Sequence, residues 1–139
     1  MGTLPTSGRI GPAVTKDTEF FWEGAKDHRL LIQRCTSCEE LRHPPGPACP
    51  YCHSFDWEPT EVSGRGELYS YTIAHHPKPP GFDEPAVAVV VQLEEGVRLV
   101  SNLEDACAAT LQIGEPLEVF FLDQDEGWSV PQFRRYRVH

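Results

Sequence analysis

Two C-x2-C pairs, Cys35/Cys38 and Cys49/Cys52, constrain this chain more than any other feature of its sequence. Each pair places two thiols on one tight turn so that both sulfurs can reach a single ion, and two such pairs complete a closed tetrahedral site. The ten residues between the pairs are enough for a hairpin loop to bring them together. Zinc is the default ion, because it favours sulfur and carries no redox chemistry; a four-thiolate iron site of rubredoxin type shares the spacing. With four protein ligands no position is left for water or substrate, so the expected role is structural. Glycine often follows the second cysteine of such a turn, where the backbone tends to positive φ. Here Glu39 and His53 occupy those positions. His43 and His53 are close enough in sequence to serve as alternative ligands.

The fifth cysteine, Cys107, stands alone. An odd, clustered set differs from the even, dispersed cysteines of secreted disulfide frameworks and suits a reducing compartment. The N-terminus has neither a basic n-region nor an apolar h-region, and no apolar run is long enough to span a bilayer. The expectation is a soluble, cytoplasmic protein. A formal charge of −9 argues against a nucleic-acid partner, since such affinity comes largely from Lys and Arg neutralising phosphates.

A chain of 139 residues accommodates one ordinary domain, or a small metal-stapled module followed by a compact barrel. Thirteen prolines favour turns over long helices. Residues 1–15 read as a flexible arm. The segment TKDTEFFWEGAKDHRLL then predicts one short helix, capped at Thr15 or Asp17. LLIQRC is a β-prone run into the first cysteine pair, and LRHPPGPACPYC reads as loop and turn. This order of strand, knuckle, loop and knuckle describes a zinc ribbon. After Trp57 five strands follow: GELYSYTIAHH, PAVAVVVQLEE, VRLVSNL, PLEVFFLDQ and SVPQFRRY, with Glu94-Glu95-Gly96 as a tight hairpin and ACAATLQI as a helical or turn insertion. The predicted fold is mainly β: a short N-terminal helix and four-cysteine zinc ribbon over 16–62, then a five-stranded, partly open OB-fold barrel with a C-terminal tail over 63–139. A small up-and-down sandwich is the alternative to the barrel.

From FFWEGAKDHRLLIQRC through the cysteine pairs to VSGRGELYSYTI, the chain resembles the family catalogued as unknown-function domain thirty-five. The likeness covers residues 17 to 136. Its most specific parts are Phe21-Trp22, the four cysteines, Pro44-Pro45, the Ser63-Gly64-Arg65-Gly66 turn into Tyr69 and Tyr71-Thr72, and Ile113-Gly114 leading to Val119. The resemblance implies a rubredoxin-like zinc ribbon joined to an OB-fold. It also implies an accessory role beside thiolase-like enzymes, aldolases of steroid side-chain breakdown, or hydratases of the hot-dog fold, with the catalytic residues on the partner and a CoA thioester contained at the shared interface.

The residues accord with such a role. Phe20, Phe21 and Trp22 form an aromatic cluster suited to a protein interface, or to packing on the ribbon and barrel. His75, His76 and Lys78, in a proline-rich loop between strands, are candidate contacts for a CoA phosphate or a partner carboxylate, set against plain solvation. The tail Phe133 to His139 is a candidate docking segment. The sequence holds no Gly-rich phosphate loop and no G-x-S-x-G elbow, and no catalytic residue is assigned. Cys107 reads as a small hydrophobe rather than a nucleophile. The main alternative function is a zinc-ribbon/OB module for single-stranded nucleic acid, using aromatics such as Tyr69, Tyr71, Phe120 and Phe121. A rubredoxin-like electron carrier is a further alternative.

Overall fold

The computed structural model describes residues 12–74, 86–104, 111–124 and 127–136. Most of the expected N-terminal arm, His75, His76 and Lys78, Cys107 with most of ACAATLQI, and the end of the tail lie outside them.

The helix, α1, runs Glu19–Lys26. Its N-cap is Thr18, one residue past the expected Asp17, because the preceding turn is already closed by Thr18 N–H and Glu19 N–H donating to the Thr15 carbonyl. Phe21 and Ala25, one turn apart, are buried on its inner face. Glu19 in the first turn and Lys26 in the last oppose the end charges of the helix.

Three strands make the first sheet: β1 (Leu31–Cys35), β2 (Leu41–Arg42) and β3 (Trp57–Glu61), in the order β2-β1-β3 with both pairings antiparallel. β2 lies within a stretch whose prolines and glycine predict loop alone. β3 carries Pro59 and two acidic residues, Glu58 and Glu61, that hide it from propensity, yet it pairs with β1 along its whole length, from Leu31↔Glu61 to Cys35↔Trp57. Pro59 is tolerated because β3 is an edge strand and needs no donor on its outer side.

The second sheet holds β4 (Arg65–Ala74), β5 (Ala86–Leu93), β6 (Arg98–Asn102), β7 (Pro116–Asp123) and β8 (Ser129–Arg135), in the order β6-β5-β4-β7-β8. These are the five strands expected from the sequence. A parallel bridge, Leu103↔Phe133, brings the two ends of the sheet together, so the barrel is nearly closed. Val87, Val89, Val91 and Leu93 alternate inward from β5 to meet Leu68, Leu99, Leu117 and Phe133. The Glu94-Glu95-Gly96 hairpin forms as expected, with Leu93 N–H on the Val97 carbonyl and Gly96 at φ +99°.

Helix and ribbon sit against the barrel through one continuous core that includes Phe21, Leu30, Ile32 and Val62 with the barrel residues. His28 adds a polar tie: its ring stacks on Phe121 and its Nε2 lies 2.8 Å from the Asp123 carboxylate, which is held below its ordinary range by that hydrogen bond. Where the chain passes from ribbon to barrel, Gly64 adopts φ +79°, and a Cβ there would lie 2.2 Å from Val119 Cγ1. Its carbonyl accepts from Val119 N–H. Gly64→Ala therefore combines left-handed strain with overpacking and is expected to lower stability by about 2 to 3 kcal/mol in urea unfolding; an unchanged midpoint would show that this crossing relaxes freely.

Candidate metal centre

β1 delivers Cys35 to the first knuckle, and the Pro50-Tyr51 turn delivers the second. The two knuckles repeat the same backbone pattern. Glu39 N–H donates to the Cys35 carbonyl and His53 N–H to the Cys49 carbonyl, both at 2.9 Å; Cys35 N–H reaches back to Glu40 and Cys49 N–H to Ser54, also at 2.9 Å. Glu39 and His53 take the positive φ that glycine usually supplies, at 68° and 65°. Both therefore carry local strain that the converging sulfurs must outweigh.

The four sulfurs lie within 4.8 Å of one another. The Cys35–Cys52 and Cys38–Cys49 Sγ separations are 3.6 Å, well beyond the roughly 2.05 Å of a disulfide, and all four cysteines are free thiols. Metal–sulfur bonds of about 2.3 Å arranged tetrahedrally give sulfur–sulfur edges of about 3.8 Å. The cluster thus fits a four-coordinate, thiophilic ion.

Electrostatics point the same way. Cys38 N–H and then Ser37 N–H hydrogen-bond Cys35 and, against its burial, bring its thiol down to about 6. The Cys52 and Tyr51 amides likewise lower Cys49. Cys38 has the Glu40 amide on its sulfur, yet burial and the neighbouring thiols push it up to about 12, and Cys52 is raised as well despite the Ser54 amide. Four thiolates this close cannot all ionise without a cation among them. The donor set is that of a metal site.

Neither histidine joins it: the converging group consists of the four cysteines. His43 instead packs its ring 5.3 Å from Phe21, and burial lowers its pKa to about 4, so it is neutral. His53 is exposed.

The loop between the knuckles is held by a polar clamp that the sequence does not advertise. Gln33 and Arg42 face each other across β1 and β2, and both are buried. Gln33 Oε1 accepts from Arg42 Nε and from Gly46 N–H, each at 2.9 Å, while Gln33 Nε2 and Arg42 Nη2 donate to the Gly46 carbonyl. Alternation of polar residues in a short strand reads as a solvated face; only the fold of the proline loop over it reveals the burial.

Of the aromatic trio, Phe20 packs on Trp57 at 4.8 Å, Phe21 is buried, and Trp22 meets Phe21 edge-on at 5.0 Å while lining a cavity with Pro44 and Pro131. Among the described residues no helix is long and apolar enough to cross a membrane.

Comparison with known proteins places these parts. Residues 22–58 match a family described as "ChsH2, rubredoxin-like zinc ribbon domain", and residues 59–122 match "ChsH2, C-terminal OB-fold domain". A protein of Thermomonospora curvata named "Probable enoyl-CoA hydratase alpha subunit" is 47% identical over 130 residues, covering 94% of this chain and 41% of the relative. The chain thus spans about two fifths of that relative's length. A "DUF35 domain-containing scaffold protein" of Methanocaldococcus jannaschii is 31% identical over 76% of this chain and 80% of its own length. A solved structure titled "Ltp2-ChsH2(DUF35) aldolase" contains a chain that superposes with a TM-score of 0.84 at 47% identity, over 90% of this chain and 98% of that one.

Since Cys38 and Cys52 hold their protons in the neutral range, metal binding must displace protons, and affinity must rise with pH. Titration of metal-free chain with a divalent ion at pH 6, 7 and 8 is expected to show affinity increasing by roughly tenfold or more per pH unit, with proton release; a pH-independent affinity would exclude the thiols as ligands.

Proposed function

We propose that this chain, which belongs to the DUF35 family, is a non-catalytic accessory subunit that binds and supports an acyl-CoA-processing enzyme of the thiolase-like, aldolase or hydratase kind. The observation that carries the reading is the likeness, over 98% of its length, to a chain in a structure titled as an Ltp2-ChsH2(DUF35) aldolase. The hydratase-subunit and scaffold names borne by other relatives support the same class of role.

The ion is zinc in this reading, held by Cys35, Cys38, Cys49 and Cys52. It would supply folding energy rather than reactivity, since four thiolates fill a tetrahedral shell. The work of the chain's own residues is to present a surface. The cysteines fix the ends of the proline loop, and Gln33 and Arg42 fix its middle at Gly46. Pro44 and Pro45 are thereby set beside Trp22. Phe20, Phe21 and Trp22 act together in this role, with Phe20 and Phe21 anchoring the helix and Trp22 at the rim available to a partner. His75, His76 and Lys78 remain proposed contacts for a CoA phosphate.

Affinity co-purification from the native host, with mass spectrometry and elemental analysis of the same sample, tests the proposal. The expected result is a thiolase-like, aldolase or hydratase subunit in stoichiometric amount with about one zinc per chain. Recovery of nucleic acid, or of redox enzymes with iron in place of zinc, would reject it.

A further inference from the structure

Of five buried side-chain polar atoms with no hydrogen-bond partner among the described residues, three, Arg42 Nη1, His43 Nδ1 and Gln132 Oε1, belong to residues along one trough between ribbon and barrel, and the other two, Gln124 Oε1 and Ser129 Oγ, lie off it. A cleft of about 680 Å³ bordered by Arg34, Arg42, Tyr51 and Arg98 meets, at His43, a second cavity of about 310 Å³ bordered by Trp22, Pro131 and Gln132. Unsatisfied buried groups are rare and each calls for an explanation. Their gathering on one trough suggests an occupant with hydrogen-bonding groups of its own.

The β6 edge runs along this trough. Leu93 N–H donates to the Val97 carbonyl and Leu103 N–H to the Val87 carbonyl, which fixes the phase of the antiparallel ladder. Leu99 and Ser101 therefore direct their backbone groups to β5, and Arg98, Val100 and Asn102 direct theirs away from it. Val100 is 71% exposed, and over Arg98–Val100 the strand pairing found for β6 among the described residues is with β5 alone. β8 approaches β6 at the Leu103–Phe133 bridge and through Ser101 Oγ on the Pro131 carbonyl, closing one end of the seam and leaving the Arg98–Val100 end open. Pro131, opposite, has no N–H to offer. A free strand edge of this kind is a template for strand addition.

Charge indicates the character of the added strand. Arg29, Arg34, Arg65, Arg134 and Arg135 each sit on a carboxylate. Among the described residues Arg42 and Arg98 have no carboxylate partner, and both border the same cleft. Arg42 contacts Gln33 and the Gly46 carbonyl, and Arg98 contacts Gln92 and lies over the Tyr69 ring at 3.8 Å. Of the acidic side chains bordering the cleft, Glu39 is engaged by Arg34 and Glu95 by Ser63 N–H, with Glu40 the remaining one. Arg42, only 7% exposed and always charged, is a fixed positive source beneath the cleft, and exposed Arg98 is the group able to touch a carboxylate.

We propose that this trough receives an extended, acidic segment of the catalytic partner, hydrogen-bonded to the outer edge of β6 at Val100 and carrying a carboxylate onto Arg98 above Arg42. The inference rests on the accessory-subunit reading and specifies its docking mode. It is tested on the full chain, free and in complex with the enzyme subunit recovered by co-purification, by amide hydrogen exchange and by affinity. The Val100 amide is expected to exchange at least about tenfold more slowly in the complex. Val100→Pro removes an outward N–H and leaves the ladder to β5 intact, and Arg98→Glu reverses a surface charge; each is expected to weaken association about tenfold or more, the Arg98→Glu effect shrinking at high salt. Should Val100→Pro not fold, the wild-type exchange and Arg98→Glu carry the test. A complex that forms with Val100 exchange unchanged and with Arg98→Glu binding as tightly as wild type overturns the docking mode alone. Protection of Val100 by an acyl-CoA without the enzyme overturns it too. Failure of the wild-type chain to hold any enzyme subunit overturns the accessory-subunit reading with it.

Discussion

Four sulfurs within 4.8 Å of one another are the constraint on which the N-terminal half depends. Between Cys35 and Trp57 the chain buries few apolar side chains, and Cys35 and Cys49 are themselves among the core residues there. So short a segment cannot offset its conformational entropy by apolar burial. A cation held by the thiolates would do so instead, and would also offset the positive φ of Glu39 and His53. β1 is the link by which this local tie reaches the rest of the molecule. Its last residue belongs to the cysteine cluster, its centre carries Gln33 of the loop clamp, and Ile32 enters the core shared with the barrel.

The barrel does not need the metal in this sense. Its inward residues from β4, β5, β7 and β8 make a conventional apolar core, and its ladders are long. The two parts differ in what stabilises them, yet they share a boundary at Phe21, Leu30 and Val62. Loss of the metal should therefore act on the ribbon, the proline loop and the face they present with β6 and β8, more than on the barrel itself.

The barrel strands were legible because β5 and β7 carry long β-branched or aromatic runs bounded by turn signals, and the cysteine turns were legible because ligand spacing is dictated by the ion. The backbone prediction at Glu39 and His53 followed from the same knuckle geometry. β3 was not legible, since WEPTE has neither alternation nor strand propensity and is held in place by its pairing to β1. β2 and the Gln33–Arg42 clamp were hidden for a related reason: polar side chains in a short strand look solvated until a distant loop covers them. The open seam beside β6 is likewise a property of closure, decided by how β8 meets Leu103 and visible in no local pattern. Both halves of the chain match models of the family, over residues 22–58 and 59–122.

In the proposed role a metal-stapled ribbon, joined to the barrel through a shared apolar core, presents the face that holds an enzyme subunit. Graded removal of the metal from the assembled complex by a chelator tests it most directly, with metal content, bound enzyme subunit and amide protection of β5 followed in the same sample. The enzyme subunit is expected to be released in proportion to metal lost while β5 stays protected. A metal-free chain that remains fully bound would contradict it.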